Sequence, residues 1–218
     1  MQTLRVWLAF AAQPHIRQPD SCEVELLMAE FQTITLARHG PVDVSWDSRI
    51  PGGSFVNFVS GFRAAGIVPT AEPPPAACRE AREAHTLICS DLPRAVESMQ
   101  LIAPGRDYLQ EALFREAEVP TPFRTSIPLR AATWAVLARV LWFMRKWPGI
   151  ESPREAQARA QRAADVLEAL AAQEGPVFLL GHGYFNAAIM RQLRRRGWRG
   201  PKFPSVRYWS AVTYRRPY

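Results

Sequence analysis

Cysteine and lysine are scarce in this chain. Its 218 residues include three cysteines, Cys22, Cys78 and Cys89, which form no CxxC pair, and the four histidines do not stand at zinc-ligand spacing. An odd number of cysteines at unrelated spacings is typical of a reducing compartment. We therefore expect a cytoplasmic protein without a structural metal ion or a cofactor.

A hydrophobic run long enough to span a bilayer is also lacking. The longer of two apolar stretches, residues 131–144, is interrupted by Arg139, so we predict a buried helix there. Residues 4–12 resemble the apolar part of a signal peptide, but a single arginine, Arg5, stands at their start and two prolines follow them, which makes an export signal the less favoured alternative. We expect an N-terminal extension over residues 1–28, with Met28 as a possible true start, one domain over residues 29–218, and no membrane association.

Negative charge is outnumbered by positive charge. Lys and Arg number 27 against 20 Asp and Glu, which gives a net charge of +7, and every basic residue except Lys146 and Lys202 is arginine. This balance suits nucleic acid, an anionic surface or a phosphorylated substrate. Residues 191–202 contain five arginines and Trp198, but no RNA- or DNA-binding motif accompanies them. We interpret them as a solvated helix end and expect no nucleic-acid partner.

Short apolar segments alternate with helical patterns along the chain. With 48% hydrophobic residues, a chain of this length can bury a sizeable core in one domain. Buried parallel strands are typically short apolar runs. We predict strands at residues 33–37, 85–90, 106–113 and 176–181, and an edge strand at 206–214. Strands that alternate with helices predict an α/β fold, with a mostly parallel sheet covered by helices on both faces.

Two helices have clear sequence signals. Phe55, Phe58, Val59 and Phe62 recur at the spacing of one helical face. Residues 152–155, Ser-Pro-Arg-Glu, form a capping box with proline at the first helical position, and small or apolar residues then recur on one face. The proline-rich residues 70–77 predict a surface loop.

Histidine and arginine follow three of the predicted strands. The first strand ends at Arg38 and His39, and His182 follows the strand at 176–181. The strand at 85–90 leads into Ser90, which is expected to cap a helix, and Arg94, which lies in the first turn of that helix. In an open α/β sheet, ligands bind beyond the carboxyl ends of the strands. We therefore expect these side chains to converge on one phosphate site.

Four segments in this order resemble the histidine phosphatase superfamily, the phosphoglycerate mutase-like proteins: LARHG (36–40), SDLPRAVES (90–98), LFRE (113–116) and GHGYFN (181–186). The resemblance runs from about residue 32 to residue 214. It implies a three-layer α/β/α sandwich with a mostly parallel sheet. It also implies that His39 is the nucleophile that becomes phosphohistidine, that Glu116 is the proton donor, and that the phosphate pocket consists of Arg38, Arg94 and His182.

These residue types suit phosphoryl transfer. The transferred group spreads negative charge over three oxygens, so catalysis depends on positioning and charge stabilisation. The guanidinium groups of Arg38 and Arg94 bind phosphate bidentately, and an imidazolium at His182 would add a third cation, which makes a metal ion unnecessary. His39 must present a neutral nitrogen, so its other ring nitrogen needs a fixed acceptor such as a backbone carbonyl. Gly40 permits a close approach.

Some positions depart from the family pattern. The family's acid usually begins a Glu-x-x-x-Gly segment, which Glu116 does not, so Glu118 is an alternative proton donor. The acid-phosphatase branch has an aspartate directly after the second histidine, where this chain has Gly183, and this difference favours a donor near Glu116. Further candidates for the pocket, each of which could instead cap a helix or lie on the surface, are Asp43, Ser90 and Asn186.

We expect a phosphomonoester hydrolase that acts on a small phosphorylated molecule or a phosphoprotein. A mutase would need a pocket that excludes water, and no long insertion between residues 40 and 90 or between 116 and 182 is recognisable as a lid. A phosphoglycerate mutase-type phosphotransferase and a non-catalytic phospho-ligand or nucleic-acid binder are the alternatives. A phospho-ligand binder would not need a histidine directly after Arg38.

Overall fold

A five-stranded sheet forms the middle layer of the protein in a computed structural model, which describes residues 31–218 except 203, 204 and 206. The expected extension over residues 1–28 lies outside the described residues. Helices and strands follow one another in the order β1 (Phe31–Arg38), β2 (Arg49–Pro51), α1 (Phe55–Ala64), α2 (Pro75–Glu83), β3 (Thr86–Cys89), α3 (Pro93–Ile102), β4 (Leu109–Gln110), β5 (Pro128–Arg130), α4 (Ala131–Met144), α5 (Pro153–Gln173), β6 (Val177–Gly181), α6 (Gly183–Arg195) and β7 (Ala211–Pro217).

The central sheet has the strand order β4-β3-β6-β1-β7. Strand β6 is parallel to both of its neighbours, β1 and β3, and β4 is parallel to β3. At the edge, Arg216 of β7 donates to Gln32 and the hydroxyls of Thr213 and Thr35 are 2.9 Å apart, so β7 runs antiparallel to β1. The prediction of a mostly parallel sheet is confirmed, and the carboxyl ends of β1, β3 and β6 meet at one edge.

Helices cover both faces of this sheet, because successive side chains of a strand point to opposite faces. Leu36 and Leu179 pack in a core with α5 and α6. Their sequence neighbours Ala37, Phe178 and Leu180 pack in a second core with α2 and α3. The expected three-layer α/β/α sandwich is confirmed.

Helix α5 begins where the capping box predicts. The Ser152 side chain accepts a hydrogen bond from the backbone N–H of Glu155, and the Glu155 carboxylate accepts one from the backbone N–H of Ser152. Two of the amides that a helix leaves unpaired at its start are thereby satisfied. The predicted apolar face of this helix is buried at Ala160, Ala163, Ala164, Leu167 and Ala171.

A smaller substructure lies outside the central sheet. Strands β2 and β5 form an antiparallel pair, and α1 and α4 pack together around Phe55, Trp134 and Ala138. The indole N–H of Trp134 donates to the backbone carbonyl of Ile50 at 2.9 Å. No insertion was recognisable from the sequence here, because the substructure is assembled from two separate segments, residues 46–64 and 117–144, which meet only in the fold.

Four predictions of local structure were wrong in extent or position. The strand predicted at 106–113 is only β4, and a 3-10 turn at Ala112–Phe114 follows it. The edge strand begins at residue 211 instead of 206, because residues 207–209 lie in a bend and turn in which Trp209 has φ 61°. The loop predicted at 70–77 ends earlier, because Pro75 begins α2 and Ala77 is buried. Ser90 is not the cap of α3, whose N-cap residue is Leu92.

Helix α4 has the bounds predicted from the sequence, but it is buried on one side only. Trp134, Ala138 and Trp142 point inward, whereas Val136 and Met144 are 63% and 75% exposed. The prediction of a buried helix is therefore correct for one face only, because α4 packs through that face on α1 and its other face is exposed. None of the helices in the described ranges is long and apolar enough to cross a membrane.

Candidate active site

Two histidines and two arginines meet at the carboxyl edge of the sheet. The parallel register pairs Arg38 with Gly181, so the residues that follow them, His39 and His182, become neighbours with ring centroids 5.1 Å apart. Arg94, the second residue of α3, is 1% exposed. We call Arg38, His39, Arg94 and His182 the basic cluster. The structure thus brings together the four residues that the sequence placed in a phosphate site.

The His39 ring is held in one orientation. Its Nδ1 lies 2.7 Å from the backbone carbonyl oxygen of Gly40, the kind of acceptor expected from the sequence. A carbonyl only accepts hydrogen bonds, so Nδ1 carries the proton and Nε2 is left with a lone pair. Burial lowers the pKa of the His39 imidazole to about 3, and the nearby charge of Arg94 contributes to this shift. His39 is therefore a neutral, oriented base at physiological pH.

Gly40 is required by the close approach of the Trp209 ring. A Cβ atom at this position would lie 2.2 Å from the indole ring of Trp209, so no larger residue fits beneath that ring. The backbone N–H of Gly40 donates to the Ser98 hydroxyl at 2.8 Å, and this hydroxyl donates to the backbone carbonyl of Arg94. Ser98 thereby links the backbone after the nucleophile candidate to helix α3.

Arg94 is buried and Arg38 is partly buried, and both guanidinium groups stay protonated as arginines do in proteins. Burial lowers the pKa of the Arg94 guanidinium to about 10, while the negative charge of Glu116 opposes this shift. Burial also lowers the pKa of Arg38, while Tyr208 and Glu116 act in the opposite direction. The guanidinium carbon of Arg38 lies 4.4 Å from the ring centroid of Tyr208. The ring centroids of Tyr208 and His39 are 5.7 Å apart. Tyr208 was missed in the sequence, where only the aromatic pair at 208–209 could have indicated it.

His182 differs in protonation from the expectation. It is 1% exposed, and neither ring nitrogen has a hydrogen-bond partner among the described residues. Burial, together with His39 and the two arginines, holds the pKa of His182 well below its usual value. His182 is therefore a neutral imidazole beside two fixed cations, and an anion bound between them would favour its protonated form.

Glu116 and Glu118 have different surroundings. The Glu116 carboxylate accepts hydrogen bonds from the backbone N–H groups of Tyr184 and Phe185, both at 3.0 Å, in the first turn of α6. It also lies close enough to Arg38 and Arg94 to influence both electrostatically. Glu118 instead forms an ion pair with Arg63, in which both side chains are more than 40% exposed. Glu116 is thus held next to the basic cluster, whereas Glu118 lies on the protein surface at the edge of the site.

A cavity of about 460 Å³ adjoins the basic cluster; Arg38 and Arg94 line it, whereas the buried His39 and His182 lie behind its lining. On the side of the central sheet its lining includes Arg38, Arg94 and Glu116. Glu118, which belongs to the smaller substructure, also lines it. The smaller substructure supplies the opposite side through α1 and α4. The cavity is therefore formed between the strand ends and the substructure that the sequence did not reveal.

The three further pocket candidates from the sequence, Asp43, Ser90 and Asn186, do not line this cavity either. Asp43 is exposed and its backbone N–H donates to the carbonyl of Gly66. The buried hydroxyl of Ser90 accepts from the backbone N–H of Leu92, and the amide of Asn186 donates to the carbonyl of Ala37 at 2.8 Å. Ser90 and Asn186 therefore support the ends of strands β3 and β1.

Gly183 lies beside the guanidinium of Arg38. A Cβ atom at residue 183 would lie 3.6 Å from that group, which is an ordinary contact distance, so the absence of a side chain leaves open space there.

No group of three or more His, Cys, Asp or Glu side chains in the described part of the chain is placed to hold a metal ion.

Because His39 and His182 are buried as neutral groups, the stability of the protein should depend on pH. An unfolded histidine binds a proton below about pH 6.5. The folded-state pKa values are lower, so the unfolded chain binds more protons and the free energy of unfolding falls as the pH drops below about 6.5. The slope is at most about 1.4 kcal/mol per pH unit for each histidine. Urea denaturation at about pH 5 and pH 6.5 measures this change in the free energy of unfolding with pH. His39→Gln removes one buried histidine and should make the change smaller. An unchanged dependence on pH in that variant would contradict the burial argument.

Comparisons with known proteins agree with the geometry. The sequence model of the histidine phosphatase superfamily (branch 1) matches residues 75–211, a range that begins after the Arg38-His39 pair. No curated protein matches the chain in sequence. Among solved structures, a mycobacterial glucosyl-3-phosphoglycerate phosphatase is similar with a TM-score of 0.52 and 20% identity, over 76% of this chain and 80% of that one. A Mycobacterium tuberculosis open-reading-frame product has a TM-score of 0.55 and 15% identity, over 86% and 95% of the two chains. A Thermus thermophilus protein has a TM-score of 0.51 and 21% identity, over 83% and 92%. These likenesses establish the fold.

Proposed function

This chain belongs to the histidine phosphatase superfamily, and from that premise we propose that it hydrolyses phosphomonoesters through a phosphohistidine intermediate on His39. The observation that carries the proposal is the His39 ring itself. Its Nδ1 is turned to the carbonyl of Gly40, so the lone pair of Nε2 is the free nucleophilic position, and the imidazole is neutral. Two arginines beside it, the buried Arg94 and the partly buried Arg38, supply the charge that a phosphoryl group needs.

In the first step, Nε2 of His39 attacks phosphorus. A P–N bond forms while the P–O bond to the alcohol breaks, and the carboxyl group of Glu116, which is protonated in this step, gives its proton to the leaving oxygen. The guanidinium groups of Arg38 and Arg94 hold the phosphoryl oxygens, whose charge is best stabilised by such planar donors. The carbonyl of Gly40 stabilises the positive charge on the phosphorylated ring through Nδ1–H.

In the second step, a water molecule attacks phosphorus from the side that the alcohol has left. Glu116 takes a proton from this water, and the electron pair of the P–N bond returns to Nε2 of His39. Inorganic phosphate and the free histidine are the products. The same carboxyl group therefore serves as the acid and then as the base.

Hydrolysis is favoured over transfer to a second ligand. A mutase must keep water away from phosphohistidine. The margin of the cavity is instead formed by the Glu118–Arg63 pair, whose side chains are more than 40% exposed. A volume of about 460 Å³ is typical of small-molecule sites, so we propose a small phosphorylated substrate and not a folded phosphoprotein.

Activity should be independent of metal ions, because Arg38 and Arg94 already supply the positive charge. A panel of phosphomonoesters, with phosphate release measured in EDTA and in magnesium or zinc, tests this. We expect equal rates in all three conditions. Arg94→Gln should lower kcat by about 10² to 10³, the usual cost of removing one electrostatic donor, and the exposed helix variant Arg162→Gln should not.

Three results would argue against the proposal. Loss of activity in EDTA that magnesium or zinc restores would show that the charge comes from a metal ion. Phosphate release that requires an acceptor phosphate ester would indicate a mutase. Phosphate binding without hydrolysis of any ester would indicate a non-catalytic phospho-ligand binder.

A further inference from the structure

Four aromatic rings form a continuous surface that starts at the basic cluster. The guanidinium of Arg94 lies 4.4 Å from the ring centroid of Phe62. The ring centroids of Phe62 and Trp46 are 4.8 Å apart, and those of Trp46 and Phe58 are 5.1 Å apart. The Phe58 and Phe55 rings are stacked, with centroids 6.2 Å apart. All four residues line the cavity. We call Phe62, Trp46, Phe58 and Phe55 the aromatic wall.

Three of the four rings of the aromatic wall come from one face of helix α1, and the fourth, Trp46, lies in a turn before β2. Phe55, Phe58 and Phe62 are spaced by three and four residues, so their rings lie on one side of the helix. In a helix of a packed core such a face would be covered completely. Here Phe58 and Phe62 are only partly buried and lie along the open cavity. The face therefore offers apolar surface to whatever occupies the cavity.

Several more arginines that line the cavity form ion pairs within the chain. Arg115 forms a two-point ion pair with Asp91, and Arg159 forms one with Glu151. Arg63 is paired with Glu118.

Arg139 is satisfied by the chain itself. It donates to the backbone carbonyl of Ala117 at 2.9 Å and lies over the rings of Trp142 and Tyr184. An additional anionic group on a substrate would therefore have to displace an existing contact, beyond the site that Arg38 and Arg94 form for one phosphoryl group.

We propose, on the basis of the function proposed above, that the substrate is a monophosphate ester of an uncharged, largely apolar alcohol that contains a ring. Its phosphoryl group binds in the basic cluster, and its ring packs on the aromatic wall. Aromatic surfaces bind planar apolar groups through burial and offset stacking. The first ring of the wall, Phe62, contacts Arg94, so a ring bound on the wall would lie close to the phosphate site. Esters that carry a carboxylate or a second phosphate on the alcohol are poor substrates.

Three esters of primary alcohols test this inference, since their leaving groups differ little in basicity. They are ethyl phosphate, 2-phenylethyl phosphate and 3-carboxypropyl phosphate. We expect kcat/KM for 2-phenylethyl phosphate to exceed that for ethyl phosphate by about 10- to 100-fold, the effect of burying one phenyl ring. The carboxylated ester should be no better than ethyl phosphate.

Variants of the aromatic wall locate the preference. Phe58→Ala and Trp46→Ala should each reduce the ratio of kcat/KM between the phenylethyl and ethyl esters. Val56→Ala is the matched control, because Val56 lies on the same helix, is 40% exposed and does not line the cavity. Inhibition of the unchanged protein by 2-phenylethylphosphonate and ethylphosphonate gives a second measurement, which does not depend on any variant folding.

The outcomes separate the two proposals. If all three esters are hydrolysed at similar kcat/KM, or the carboxylated ester or a phosphopeptide is preferred, the inference is wrong and the phosphatase function stands. If the phenylethyl preference persists unchanged in both wall variants, the ring binds elsewhere and the inference is also wrong. If no ester is hydrolysed and His39 is never phosphorylated, the proposed function fails and the inference fails with it.

Discussion

His39→Ala should abolish turnover and phosphoenzyme formation together. Without Nε2 no P–N bond can form, and the remaining arginines can only bind the ester. Removal of an enzyme's nucleophile typically lowers kcat by about 10⁴-fold or more. The protein is mixed briefly with a radiolabelled ester and quenched in alkali, because phosphohistidine is labile in acid. After digestion, the label should be on the peptide that contains His39 in the unchanged protein and absent from the variant.

Two further variants make this experiment decisive. His85→Ala is the matched control, because His85 is exposed, does not line the cavity, and has its Nδ1 2.8 Å from the backbone carbonyl oxygen of Glu174. It should keep both label and turnover. His39→Asn retains a polar side chain at the buried position and guards against loss of the fold, which urea denaturation measures. Label on another residue, or turnover by His39→Ala close to that of the unchanged protein, would refute the mechanism.

Glu116→Gln should slow the hydrolysis of alkyl phosphates far more than that of activated aryl phosphates. A general acid matters most when the leaving alkoxide is strongly basic, whereas a stabilised phenolate departs without a proton. We expect a loss of about 10² to 10⁴ in kcat for the alkyl ester, the usual contribution of a positioned acid, and a much smaller loss for the aryl ester. Measuring kcat for both esters on each variant gives the comparison.

The dependence on the leaving group is essential, because the substitution also affects structure. Glu116 accepts hydrogen bonds on both carboxylate oxygens, from Tyr184 and Phe185, and a glutamine amide can replace only one of these oxygens as an acceptor. Misplacement alone would slow both esters alike. Only the loss of a proton donor slows the alkyl ester selectively.

Glu118→Gln is the matched comparison two residues away. It removes an exposed ion pair with Arg63, which is typically worth about 0–1 kcal/mol, so both esters should be hydrolysed nearly as before. If the selective loss occurs at Glu118 instead, the proton donor is that residue and the histidine mechanism is unaffected. If it occurs at neither residue, the proton comes from another group.

The positions of the main strands and of helix α5 follow from short-range patterns. Apolar runs of four to six residues predicted β1, β3 and β6 to within a few residues, and the capping box at Ser152 marked the start of α5. Such signals are local, because strand burial and helix capping depend on residues close in sequence. Parallel strands also place their following residues at one edge, and this rule predicted that His39, His182 and Arg94 would meet.

The sequence alone thus determined the fold class, the family resemblance and the four residues of the basic cluster. The tertiary structure decided what surrounds them. Tyr208 beside Arg38, Trp209 against Gly40, and the aromatic wall opposite Arg94 come from segments distant in the chain, so no local pattern reveals these contacts. The tertiary structure also decided the neutral state of His182, because desolvation and neighbouring charge depend on packing in three dimensions and not on residue type.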